Sequence, residues 1–536
     1  MENKHVETIV REFTYAKSNR TNWETYWAEL AKYIQPMKND VYGSRAQGEK
    51  RGHELYDGEA IQCNETLAAY LHTMLTNPST HFLGFDPRRQ DLTDNDNVKS
   101  FLGQVTNTFH SVLNNSNFQT EIHEVYLDLG SIGTSVMFIE EDDKNIINFS
   151  TRNIWECYPV ENSSGTVDTL YRSFKWPLSK IADKWPEALS QEMRERLVVA
   201  PQEEYEIVHC VKPRASKDRP YGDLYGPKSM PFSSTYVLMK DKTLLEEDGF
   251  EEFPFIVPRW TKLAGETYGR SCGMKALPDI KTLNKMAEIT LKAAQLNIAP
   301  PFNVPDDGYH GGLKLKPLGI NYYRAGTKDR AEPMLTGVRT DIGLDMMNVI
   351  RSKIQRAFFV DKMALREGPQ KTAAEVNRLS EDDLRAMAPV LGRQHNETLK
   401  PLATRVLGIL NRKKLLPPVP TELKGVDVDI VYSSQIAKVQ KINEANNFLR
   451  GIQAAGQLLG VKPELLDNID GDKAVRYILR AYSAPEIAIA KESTIRDTRA
   501  ARAKAQQEQV EMQKSQAGAE TLNKMAPMMG QIAGGE

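Results

Sequence analysis

The chain has 536 residues, 40% of them hydrophobic, which supplies two or more domains with real cores and excludes a wholly disordered protein. Lys+Arg 69 against Asp+Glu 71 gives a formal charge of -2, which excludes a tight nucleic-acid coat protein and a polybasic membrane binder, so any DNA contact must be local. Cys63, Cys157, Cys210 and Cys272 form no CxxC pair, no apolar run approaches the ~18 residues that span a bilayer, and the opening MENKHVETIVREF has no signal pattern, so a soluble protein of a reducing cytoplasm without disulfides, zinc knuckle or membrane span is expected.

Taken in order, His5 to Ile34 predicts a helix with Ile9, Phe13, Trp23, Tyr26, Trp27, Leu30 and Ile34 as its apolar residues and Pro36 as its stop. Asn39 to Arg51 is a polar loop. Tyr56 to Leu75 predicts a second helix, closed by Asn77-Pro78, and Asp94 to Leu113 and Phe118 to Leu129 predict two more. From Thr134 to about Trp260 the period changes to two: Ser135 to Glu140, Asn145 to Ser150, Thr166 to Phe174, Tyr205 to Val211 and Tyr236 to Met239 read as strands, interrupted by a helix over Lys180 to Leu197. This part is expected to be α+β with an antiparallel sheet.

Gly265 to Ser271 (GETYGRS) predicts a tight turn between domains. Beyond it, from Leu277 on, Ile280, Leu283, Ala287, Leu291, Ala294 and Ile298 fall on one helical face, with Lys281, Lys285 and Lys292 on a second stripe and Pro300-Pro301 as the end. Phe302 to Gly337 is rich in Gly and Pro and reads as a small module. Asp341 to Phe359 then repeats Ile342, Met346, Val349, Ile350, Ile354 and Phe358 at helical steps, so the chain goes out along one rod, folds a knob and returns along another. Asp361 to Lys371, with Gly368-Pro369, breaks the pattern as a charged loop. Thr372 and Glu375 have capping-box spacing and start a helix of roughly 45 residues, to Leu416, about 68 Å long at 1.5 Å per residue. Pro389 and Pro401 lie inside it and disfavour a straight rod by ~3 kcal/mol each, which predicts a bend or two abutting helices. A strand over Val426 to Val431, helices from Ile436 to Tyr482 and a helix-prone tail over Pro485 to Met525 complete the chain.

Catalytic motifs fail on their spacing. Gly43 to Lys50 (GSRAQGEK) has Glu49 between Gly48 and Lys50, no following Ser or Thr and no preceding strand, so it reads as a solvated loop. His53-Glu54 and His123-Glu124 lack the second histidine of a zinc-protease helix, having Asp57 and Leu127 there. Asp467 to Asp472 (DNIDGD) puts Leu466 and Tyr477 where a calcium loop needs its first and twelfth ligands, so a capping turn is expected. There is no Gly-x-Ser-x-Gly elbow and no dinucleotide fingerprint.

Several stretches together resemble the head-to-tail connector, or portal, proteins of short-tailed bacteriophages. They are Tyr33-Ile34-Gln35-Pro36 at the end of the aromatic helix, Leu67 to Leu75 (LAAYLHTML) before Phe82, Gly130 to Ile139 (GSIGTSVMFI), Gly265 to Ser271 (GETYGRS) and Lys371 to Leu379 (KTAAEVNRL). The resemblance covers nearly the whole chain and rests on their order and spacing. It implies a mainly helical α+β fold: a wing over residues 1–264, a first stem helix over 265–299, a small α/β clip over 300–339 and a second stem helix over 340–360. It further implies a tunnel loop over 361–371, a long bent wing helix with a return strand over 372–435, and a helical crown and tail over 436–536.

In function it implies a non-enzymatic ring, usually of twelve subunits, at one capsid vertex of the virion, assembled in the host cytoplasm around a channel for double-stranded DNA. Terminase, tail adaptor, major capsid and scaffolding proteins are the implied partners, with no cofactor or metal. Such a channel must not grip DNA, because lysine–phosphate contacts repeated around a ring would hold it fast, and the near-neutral composition agrees. The expected weak contacts are Lys362, Arg366 and Lys371 in the loop, Lys281, Lys285 and Lys292 on the stem, and Arg496, Arg499 and Arg502 in the crown. The plainer alternative for the stem and loop positions is solvated side chains or ion pairs between subunits. The rival classes are a packaging-associated nuclease or ATPase and a monomeric adaptor or scaffold.

Overall fold

A computed structural model describes residues 2–38, 52, 54–93, 95–215, 226–298, 302–303, 332–333, 340–363, 387–432, 444–453, 470–482, 484, 490 and 494–509. The chain divides into two units, Met1–Leu83 with Val105–Pro417, and Gly84–Gln104 with Pro418–Glu536. The architecture is α+β with antiparallel sheets.

In the first unit, helices α1 (Glu2–Ser18), α2 (Thr21–Ile34) and α3 (Glu59–Leu75) precede strand β1 (Leu83–Pro87), helix α4 (Asp96–Asn115) and helix α5 (Phe118–Ser131). Strand β1 and helix α4 carry the chain from one unit to the other. Next come the hairpin β2 (Val136–Asp142) and β3 (Ile146–Arg152), then β4 (Cys157–Glu161), β5 (Val167–Pro177), α6 (Leu178–Lys184), α7 (Gln191–Val199), β6 (Glu204–Pro213), β7 (Phe232–Leu238), β8 (Thr243–Phe250) and β9 (Phe255–Ile256). Strands β4 to β8 pair in sequence order as a five-stranded meander, and β9 joins β2 to make a three-stranded sheet in the order β3-β2-β9.

Both faces of the meander are covered, which explains why its middle strand, β6, is buried without interruption from Ile207 to Val211. Val6, Ile9 and Phe13 of α1 pack on Tyr158, Tyr171, Val208 and Val237. On the opposite face Leu178, Ile181, Trp185 and Met193 pack on Phe174, Ile207 and Leu238. Each such side chain contributes about 1.5–3 kcal/mol by leaving water.

The predicted first helix is two helices. Arg20, at the break, is buried, and its guanidinium donates to the carbonyls of Ile154, Trp155 and Cys157 at 3.0, 2.7 and 2.8 Å. A buried guanidinium must be satisfied, and turning it inward interrupts the helix. The predicted helix over Lys180 to Leu197 likewise divides into α6 and α7, because Pro186 opens a short 3-10 turn between them and Ser190 caps α7 by accepting from Met193 N at 3.3 Å. Strands β1, β4, β8 and β9 lie outside the predicted set.

Helix α8 (Cys272–Ile298) starts five residues before the expected Leu277 and runs through Pro278. A proline there cannot donate to the carbonyl of Met274, four residues back. Tyr26 Oη donates to that carbonyl at 3.1 Å and replaces the lost bond. Tyr26→Phe is therefore expected to cost about 1 kcal/mol, read as a lower urea midpoint with an unchanged slope. A midpoint equal to wild type would show that water serves the carbonyl equally well.

Strands β10 (Phe302–Asn303) and β11 (Glu332–Pro333) pair antiparallel, and helices α9 (Thr340–Ala357) and α10 (Val360–Met363) follow. Phe359, with φ 61, breaks the chain between α9 and α10. The rest of the predicted module, most of the charged loop and the capping box at Thr372 and Glu375 that follows it lie outside the described residues. Where the long helix is described it is helical over 387–394, widens to a π turn over His395–Leu399 and continues as α11 (Lys400–Arg412). The π turn ends two residues before Pro401, so the ring is accommodated by a wider turn rather than by two separate helices. The helix ends four residues before the expected Leu416: Lys414 takes φ 55, and Leu415 N donates back to Leu410 O at 3.0 Å.

In the second unit β12 (Val428–Tyr432) pairs with β1, and Arg88 is held by Asp427 and Asp429 at 2.8 and 3.0 Å. Helix α12 (Gly471–Ala481) is capped by Asp470, whose carboxylate accepts from Asp472 N and Lys473 N at 3.1 and 3.2 Å. That is the capping turn expected of DNIDGD.

Candidate nucleic-acid interface

Helices α8 and α9 form an antiparallel pair. Asn284 accepts from Tyr56 N at 2.7 Å while Arg351 donates to Asp57 at 2.7 Å, so both helices are pinned to the same short segment. Nearer the far end Thr290 meets Met347, and beyond the helices Phe302 pairs with Pro333. The out-and-back path read from the sequence is thus present, with a two-stranded start of the intervening module.

The base of this pair is built from the glycine-bearing stretches. Ser271 Oγ accepts from Met274 N at 2.9 Å, which caps α8, and donates to Ser131 O at 2.7 Å at the end of α5. Gly269 N donates to Thr134 Oγ1 at 2.8 Å, and Trp260 N donates to Gly133 O at 2.9 Å. Gly133 has φ +92 and faces the Gly269 carbonyl so closely that a Cβ on it would lie 2.7 Å from that oxygen. GSIGTS and GETYGRS are therefore two halves of one joint that orients the outgoing helix.

The apolar face expected on α8 is covered only along its first half. Ile280 and Leu283 are buried, but Leu291 is 51% and Ile298 is 85% exposed. On α9, Ile350 and Ile354 are buried, as is Phe358 just past its end, whereas Met346 is 51% and Val349 is 53% exposed. Scattered exposed apolar residues are ordinary, but here they recur along both helices of one pair.

The stem lysines share a stripe and are all in ion pairs. Lys285 and Lys292 both donate to Glu288, at 2.9 and 2.6 Å, and those two bonds hold the Glu288 carboxyl below its usual pKa. Lys281 meets Glu29 at 3.3 Å. One uncompensated positive charge remains on the Lys285–Glu288–Lys292 triad. Glu288 was legible as the i+3 and i−4 neighbour of the two lysines, whereas Glu29 lies 252 residues from Lys281 and had no local signal.

Lys362 belongs to α10, which turns away from α9 at Phe359; its side chain, and Arg366 and Lys371 altogether, lie outside the described residues. In the second unit Arg499 makes a two-pronged contact with Asp472 at 2.6 and 2.7 Å, which raises its pKa. Arg502 is exposed on the same helical stretch, and Arg496 also has a partner.

A node that sequence reasoning missed joins the long helix to the β-rich part. Arg259 is buried and donates to Glu397 at 3.1 and 2.8 Å and to Glu161, while Gln394 Nε2 donates to Arg259 O at 2.9 Å. Glu397 and Gln394 lie in and beside the π turn, so this arginine fixes the turn's orientation.

A family model described as bacteriophage head to tail connecting protein matches residues 6–489, and the chain belongs to that family. Among curated relatives, the portal protein of Salmonella phage epsilon15 is 28% identical over 537 residues, covering 96% of this chain and 95% of the relative. The probable portal protein of Bordetella phage BPP-1 is 27% identical over 473 residues, covering 85% and 84%. The portal protein of Escherichia phage T7 is 26% identical over 188 residues, 32% of each chain. The function is accordingly that of a head-tail connector, or portal, protein.

Proposed function

We propose that copies of this chain close into a ring, of twelve subunits, whose α8–α9 pairs stand side by side around an axial channel for double-stranded DNA during packaging and ejection. The observation that carries this reading is the apolar surface left open along both helices: Leu291, Ile298, Met346 and Val349 are half or more exposed in the single chain, and a neighbouring pair would cover them. The paired lysines fit a channel that carries DNA without holding it, since each uncompensated cation repeated around a ring multiplies the salt-dependent grip.

In this reading residues 1–264 are the wing, 265–299 and 340–360 the stem, 300–339 the clip, 361–371 the tunnel loop, 372–435 the long wing helix and return strand, and 436–536 the crown. The ring would sit at one capsid vertex, with terminase and tail adaptor docking at the clip and scaffolding and capsid proteins at the wing. Its role is mechanical, with no chemistry assigned to any side chain. Among the described residues no helix is long and apolar enough to cross a membrane.

Replacing Met346 and Val349 with Asp together tests the interface. The expected product is a folded single chain near 60.5 kDa with wild-type circular dichroism, because both positions face solvent in the isolated subunit. A ring of unchanged mass would remove the α9 face from the interface. For the DNA path, Lys362→Ala, Arg366→Ala and Lys371→Ala combined should leave rings intact and impair packaging or genome retention. Normal yields of filled, infectious particles would exclude the loop from that role.

A further inference from the structure

Between the three-stranded sheet and the five-stranded meander lies a cleft of ≈ 190 Å³. Phe138 and Phe255 wall it on the three-stranded side, and Phe174, Trp176 and Tyr236 on the five-stranded side. The volume is several times the ~30 Å³ share of one water molecule, enough for a compact solute. Three cations border it, Arg152, Arg172 and Lys184, against the carboxylate of Glu140.

The three cations are not equally satisfied. Arg172 is neutralised by Glu156, with its Nε and Nη2 at 3.0 and 2.9 Å from the carboxylate. Lys184 rests over the Trp185 and Tyr236 rings at 4.8 and 4.9 Å, without an ion pair among the described residues. Arg152 is the unbalanced one. Its Nε is buried with no hydrogen-bond partner, and its guanidinium lies 5.6 Å from the Phe138 ring.

Burial and the neighbouring Arg172 charge both push the Arg152 pKa down. The positive field extends across the cleft, where burial and then Arg172, Lys184 and Arg152 push His209 down to about 3. His209 is therefore a neutral imidazole, bonded through Nε2 to Ser234 Oγ at 2.9 Å and stacked on Tyr236 at 4.0 Å, and it adds no charge. A half-buried guanidinium whose Nε has no acceptor calls for an anion in the space that it faces.

We propose that this cleft binds a compact oxyanion, of the phosphate or carboxylate class, whose oxygens accept from the Arg152 guanidinium within reach of Lys184. The aromatic walls give the site its shape and the cations give it its sign. Bound there, the anion would tie the three-stranded sheet to the meander.

The test uses the purified full-length protein in its assembled form and follows thermal unfolding while chloride is replaced at constant ionic strength by inorganic phosphate or by acetate, up to about 10 mM, below the range of general salting effects. A saturable rise in the midpoint with either anion is expected, and the better of the two names the class. Arg152→Gln should weaken that binding about tenfold or more, whereas Glu140→Gln, which removes the facing negative charge at an exposed position, should tighten it several-fold. Should Arg152→Gln not fold, Lys184→Gln, also exposed, replaces it and should weaken binding. No saturable response to either anion would overturn the proposal, as would equal affinities in wild type and in the charge variants.

Discussion

Arg259→Ala is expected to lower stability by about 3 kcal/mol and to loosen the long helix where it turns around Pro401. The side chain is 3% exposed, and Glu161 and Glu397, its two carboxylate partners, are 18% and 17% exposed, so solvent cannot replace what the guanidinium supplies. Removing it also strands the Thr267 and Gly165 carbonyls, to which it donates at 3.1 and 3.3 Å. The cost sits at the low end of the usual ~3–5 kcal/mol for breaking a buried pair, because Glu161 keeps Lys262 at 2.5 Å and Glu397 keeps Arg393 at 2.9 Å. Arg259→Lys should recover only part of the loss, since an ammonium cannot make the two-pronged contact with Glu397. Chemical denaturation of the three proteins side by side measures this; a wild-type midpoint for the alanine variant would show that the network holds nothing together.

Gly133→Ala is expected to cost about 2–5 kcal/mol, the sum of a left-handed backbone that disfavours any Cβ and an overpacked contact that cannot relax. The obstacles are main-chain atoms: the Gly269 carbonyl oxygen and Ser271 N, each 2.7 Å from where the Cβ would lie. Gly269 is in the reciprocal position, its missing Cβ pointing at the Gly133 carbonyl oxygen and, 2.9 Å away, at Arg259 Cβ. Either alanine should therefore reduce the soluble fraction, and with it any assembly, as well as the unfolding midpoint. Full expression and assembly of both variants would mean that the joint at the base of α8 tolerates a different angle.

What the sequence disclosed follows from the range of the forces involved. Helical periodicity is local, so α3, α5, α8 and α9 were legible to within a few residues, and alternation exposed the β2–β3 hairpin and the central strands β5 and β6. Strand β8, TLLEEDGF, buries only two of its eight residues and sits at the edge of the meander, which leaves it without an alternating signature. Strand β4 contains Pro159 and is also an edge. The break at Arg20 could not be read, because its cause lies more than 130 residues away in the Ile154–Cys157 carbonyls.

The lysine stripe of α8 was visible in the spacing, but its electrostatic state was only half visible. Glu288 is a neighbour in sequence; Glu29 is a neighbour only in space. The same division applies to the apolar faces of the stem. Periodicity marks Leu291, Ile298, Met346 and Val349 as residues that should be covered, and says nothing of whether the cover comes from the same chain.

That question is the centre of the account, and end-on electron micrographs of the purified full-length protein, with the particle mass measured in parallel, address it most directly. The helix pair with its open apolar flanks predicts closed rings with an axial opening and a mass of several hundred kilodaltons, against 60.5 kDa for one chain. A uniform population at the single-chain mass, or particles with no central opening, would contradict it.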